Sequence, residues 1–105
     1  MANNRNIRVA VETKKTRPYG DADWVKGAAG GYLFQALLFD EGSEYGIDEG
    51  RVSKLCVWPK EKNPGNAIIN YDRGWDVKPQ NDGERAILDA VLDELEDYPI
   101  GGPED

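Results

Sequence analysis

The chain has 105 residues, enough for one modest hydrophobic core and too few for a second. Its formal charge of −7, from 20 acids against 13 bases, argues against nonspecific DNA binding and anionic membrane surfaces, both of which reward positive charge. It has no histidine and one cysteine, Cys56, which excludes a Ser-His-Asp site, the usual thiolate-imidazolium pair and an intramolecular disulfide.

Residues 1–6 are polar and expected to be loose. Ile7, Val9 and Val11 alternate with Arg8, Ala10 and Glu12, the period-2 signature of a half-buried strand. Pro18-Tyr19-Gly20-Asp21 predicts a turn. Trp24 to Ala29 and Tyr32 to Phe39 read as two strands joined at Gly30-Gly31, a pair that tolerates the positive φ of a tight hairpin. In the second of these strands Tyr32, Phe34, Ala36 and Leu38 point one way, and Leu33, Gln35, Leu37 and Phe39 the other. Both faces are largely apolar, so this strand belongs inside the sheet. One face would lie under a helix and the other under a loop, the N-terminal strand or a partner.

Asp40 to Gly50 is an acidic, glycine-rich loop, and Arg51 to Trp58 resumes a strand. Within it Leu55-Cys56-Val57-Trp58 makes the cysteine a small core residue in a reducing compartment. Asn63-Pro64-Gly65 has type II turn chemistry, so Ala67 to Tyr71 should return antiparallel. Asp72-Arg73-Gly74-Trp75 is read as leaving the sheet, and Val77 to Gln80 as crossing to a helix from about Asp82 to Asp97. Asn81 with Glu84 has capping-box spacing at its start, and Tyr98-Pro99 stops it. Residues 99–105 are expected to fray. The resulting expectation is one domain over 1–105, of class α+β: an antiparallel sheet of four or five strands with one C-terminal amphipathic helix packed on one face. A small β-barrel with an appended helix is the alternative. No signal peptide is visible, and the longest apolar stretch, Tyr32 to Phe39, is far short of a membrane span, so the expected location is the cytoplasm.

The helix carries an arrangement that helix stability alone disfavours. Ile87, Leu88, Val91, Leu92 and Leu95 form the apolar stripe, and Asp89, Asp93, Glu96 and Asp97 fall opposite it. Asp89/Asp93 and Asp93/Asp97 are like charges four residues apart, each pair unfavourable by roughly 0.2–0.5 kcal/mol. Glu96 and Asp97 also sit at the negative end of the helix dipole, where cations are preferred. A solvated face explains this blandly; a polyanionic surface aimed at a basic partner explains it sharply. Charge is polarised along the chain, with five bases against Glu12 in residues 1–20 and nine acids against Arg85 in residues 82–105. The basic N-terminal segment could still reach a few phosphates.

Asp40, Glu41, Glu44, Asp48 and Glu49 crowd the loop, but the spacing is wrong for an EF-hand, because Gly42 stands at the third position and Tyr45 where glycine is needed. No metal or cofactor is expected. Gly27, Gly30 and Gly31 lack a following helix to receive a phosphate and are explained by the hairpin. Most of the tryptophans and tyrosines should be core. Tyr45, in the acidic loop, and Trp75, beside Arg73, are candidate interface anchors with the nearby acids as their rim. Catalysis has little to work with, and a binding protein is the expected class.

Trp24-Val25-Lys26-Gly27, Gly31-Tyr32-Leu33-Phe34, Phe39 to Ile47, Gly50 to Leu55 and Tyr71-Asp72-Arg73-Gly74-Trp75-Asp76 together resemble a family of small uncharacterised proteins from bacteriophages and prophages. The size and acidity also resemble the type II-A anti-CRISPR inhibitors. That resemblance implies a non-enzymatic inhibitor acting in the host bacterial cell on a CRISPR RNA-guided nuclease, whose nucleic-acid channel is basic and whose PAM reader uses arginines. An acidic face could then compete with DNA for a site meant for phosphates. The competing expectation is a phage accessory or structural protein, a homodimer joined through the second apolar sheet face.

Overall fold

The computed structural model describes residues 7–16, 22–62 and 66–99. Six strands, β1 (Val9–Thr16), β2 (Ala22–Ala29), β3 (Tyr32–Phe39), β4 (Val52–Pro59), β5 (Ile69–Asp72) and β6 (Trp75–Val77), precede one helix, α1 (Asp82–Glu96). Every strand pairs antiparallel with its neighbour in sequence, giving an uncrossed β1-β2-β3-β4-β5-β6 meander. The α+β class holds. The sheet stays open, with β1 and β6 as its edges, so the barrel alternative is not adopted.

One strand more is present than the four or five expected. Asp72-Arg73-Gly74-Trp75 turns back into the sheet rather than leaving it, because Arg73 adopts a left-handed φ of 57° and Asp72 N–H donates to Gly74 O at 2.9 Å. That tight turn makes β6, three residues that carry no readable alternation. The β2–β3 hairpin forms at Gly30-Gly31 as expected. Gly30 has φ 60° and Gly31 is not among the positive-φ residues, the pattern of a type II′ turn. The turns expected at 18–21 and 63–65 lie outside the described residues, as do residues 1–6 and most of the C-terminal tail.

β3 sits inside the sheet. Phe34, Ala36 and Leu38 are buried with Val25, Ala29, Val52, Leu55, Val57, Ile69 and Tyr71 beneath Ile87, Leu88, Val91 and Leu95 of α1. The helix stripe read from the sequence is therefore the packed face. At its N-terminus Asn81 Oδ1 accepts from Glu84 N–H at 2.8 Å. The return bond differs from a full capping box, since Glu84 Oε1 takes Gln80 N–H at 2.7 Å instead of that of Asn81. Asn81→Ala should cost about 1 kcal/mol in urea unfolding, and Asn81→Ser much less.

β1 holds a bulge at Glu12, where the register steps from Val11↔Gly27 to Thr13↔Lys26. The extra residue reverses the alternation, so Thr13 and Lys15 join the face away from the helix. Cys56 also lies on that face, half-buried rather than in the core. Its neighbours exclude enough water to push the thiol pKa up, which keeps it protonated at neutral pH. Among the described residues no helix is long and apolar enough to cross a membrane.

Candidate functional site

Residues 40–50 form a closed loop whose ends are tied by Phe39 N–H donating to Arg51 O at 2.9 Å. Inside it, Gly46 N–H reaches Ser43 O, Glu49 N–H reaches Gly46 O, Gly50 N–H reaches Ile47 O and Ser43 N–H reaches Gly50 O, at 2.9–3.2 Å. Ile47 is buried and anchors the loop in the core. The phenolic hydroxyl of Tyr71 donates to Tyr45 O at 2.7 Å and ties the loop to β5. Trp75 stands edge-on to the Tyr71 ring, centroids 5.0 Å apart and planes at 77°. Trp75 is thus half-buried support for the pin. Of the two residues expected as anchors, Tyr45 and Trp75, it is Tyr45 that stands out from the surface, at 55% exposed.

The loop is held against its own backbone preferences. Asp48 and Glu49 occupy left-handed conformations, with φ of 54° and 61°. Each costs on the order of 1–3 kcal/mol for a residue with a side chain, and such strain persists only where the surroundings over-determine it. The outcome is a fixed presentation of Tyr45 amid Asp40, Glu41, Glu44, Asp48 and Glu49, all exposed.

α1 ends against the stem of this loop. Both Glu96 carboxylate oxygens accept Arg51 N–H at 3.0 Å. The Arg51 guanidinium donates in turn to Phe39 O at 2.8 Å, Glu96 O at 2.6 Å and Tyr98 O at 2.9 Å. The cation that α1 lacks in its own last turn is therefore supplied by Arg51. Glu96, read as a partner-facing acid, is engaged inside the molecule. Asp93 and Asp97 remain exposed at the same end as the loop, while half-buried Asp89 lies about 12 Å back along the axis from Asp97. Arg73 is exposed in the β5–β6 turn, with Nε 3.7 Å from Asp72 Oδ1 and its backbone N–H donating to Ser53 O at 2.9 Å, two residues past the loop stem at Arg51.

Arg51 and Tyr71 were missed as site residues. The signal for Arg51 was the helix terminus itself: a last turn of acids needs a cation from elsewhere. Tyr71 had no local signal, because its partner lies 26 positions away. Among the described residues no group of three His, Cys, Asp or Glu side chains converges to hold a metal ion.

A family model matches residues 23–96, a domain of unknown function designated DUF7678. No curated protein and no solved structure matches the chain.

Proposed function

The chain belongs to this DUF7678 family of unknown function, and from the geometry of its acidic end we propose that it is a non-enzymatic protein that docks a basic macromolecular partner. One observation carries the reading: an exposed tyrosine held by a strained, internally bonded loop that carries five exposed acids. Aromatic anchors with charged rims are the usual source of interface energy, and a loop already in its bound shape avoids the entropy of ordering. Asp93 and Asp97 extend the negative surface and would speed encounter with a positive partner at low salt.

The resemblance of residues 24–76 to phage proteins, and of the chain's size and acidity to anti-CRISPR inhibitors, nominates an RNA-guided nuclease as the partner, with the acidic end occupying a phosphate-binding surface. A homodimer through the second sheet face has less in its favour, since Lys26, Gln35, Lys54 and Asn70 interrupt that face.

A cleavage assay with purified type II-A nuclease, guide and target tests the proposal. Added protein should suppress cutting, and the effect should weaken as salt is raised. Asp93→Lys combined with Asp97→Lys should raise the half-inhibitory concentration about tenfold. Unchanged cutting at large molar excess removes that nuclease as the partner, and unchanged potency of the charge-reversed protein removes the acidic end as the contact.

A further inference from the structure

The face of the sheet turned away from α1 has a chemistry opposite to that of the acidic end. Register places Lys15, Trp24, Leu37, Lys54 and Asp72 in one row across β1 to β5, and Thr13, Lys26, Gln35, Cys56 and Asn70 in the next. Trp58, beside Leu33, stands one row further on. Between Trp24 and Trp58 lies an open groove of about 240 Å³, lined also by Gln35, Cys56, Asn70 and the Lys54–Asp72 pair at 3.7 Å. The Gln35 and Asn70 amides both line this groove, half-buried. In a chain of net charge −7, these rows hold three lysines against one acid.

We infer that this face is a binding surface for single-stranded nucleic acid. The two indoles offer stacking platforms, and the Gln35 and Asn70 amides offer paired donors and acceptors to base edges. The lysines would meet phosphates along the strand. The groove is smaller than the roughly 300 Å³ at which small-molecule pockets begin, so it takes one base of a longer strand rather than a whole compact ligand. A neutral sugar would leave the three lysines without a role. An acidic peptide would use a sheet edge for its backbone bonds and would leave the face amides idle. The outer side of α1 lies across the sheet from this face, the acidic loop stands at the sheet's end, and at about 0.15 M salt a field is screened within about 8 Å.

The test is a titration of the intact protein with fluorescein-labelled twelve-nucleotide oligothymidine at about 150 mM salt, read by anisotropy and by quenching of tryptophan emission. Saturable binding is expected, with a log-log salt slope of about −2 from three lysines. Trp24→Leu should weaken it about tenfold or more. Because that variant could disturb folding, the exposed pair Lys15→Glu/Lys26→Glu serves as a second, with an expected loss of at least tenfold. Tyr45→Ala, in the acidic loop, should leave oligonucleotide binding unchanged, which separates this inference from the docking proposal. No binding at 100 µM protein, equal binding of polyglutamate, preference for a neutral oligosaccharide, or full affinity in the folded lysine variant would each overturn it.

Discussion

Arg51→Ala should lower the unfolding free energy by about 3 kcal/mol, a large fraction of the roughly 5–15 kcal/mol available to a domain of this size. The guanidinium closes three backbone carbonyls from two elements: Phe39 at the end of β3, and Glu96 and Tyr98 at and just past the end of α1. Bonds from a charged donor contribute about 1.5–3 kcal/mol each, but Arg51 is half-buried and water recovers part of that on its removal, so the sum is discounted. The substitution also leaves the acidic helix end without its cation. A fall in melting temperature of 12 °C or more should accompany it, at about 4–8 °C per kcal/mol. Arg51→Lys should fall between the two, because an ammonium cannot reproduce the planar fork that serves separate carbonyls. Urea unfolding followed by tryptophan fluorescence checks the series. A loss below about 1 kcal/mol for Arg51→Ala would mean that water replaces the guanidinium and that the helix end is not held there.

What could be read from the chain was what is decided locally. The Gly30-Gly31 hairpin, the Asn81 cap and the α1 stripe each follow from residues within a few positions of one another, and all three are present. β6 was missed because three residues show no period, and its existence depends on the unusual φ of Arg73. The face away from α1 was misjudged for a different reason. β3 alone is apolar at Leu33, Leu37 and Phe39, but a sheet face is a property of rows across strands. The rows bring Lys15, Lys26, Lys54 and Asn70 from four other strands, one of them through a bulge that shifts parity. The acidic end divides in the same way. Its exposed acids and Tyr45 could be named from the sequence, whereas the diversion of Glu96 to Arg51 spans 45 positions and could not.

Gly46→Ala should uncouple docking from folding. Gly46 has extended backbone angles that alanine accepts, so the obstacle is space and not conformation. A Cβ there would run into the carbonyl of Gly50, which is backbone and cannot swing aside. The two strands of the loop must part, breaking the bonds from Glu49 N–H to Gly46 O and from Gly50 N–H to Ile47 O. Once parted, nothing holds Asp48 and Glu49 in their left-handed conformations, and relief of that strain offsets some of the lost bonding. The net cost in stability should therefore stay near 1–3 kcal/mol, while the fixed setting of Tyr45 and its acids is lost. Affinity for the basic partner should drop about a hundredfold, or roughly 2.7 kcal/mol, more than the loss for Asp93→Lys/Asp97→Lys. Amide chemical shifts should move in residues 40–51 and at the end of α1, with the sheet hairpins unchanged. A Gly46→Ala protein whose loop shifts have moved but which still binds at wild-type affinity would show that a preset loop is not what the partner meets.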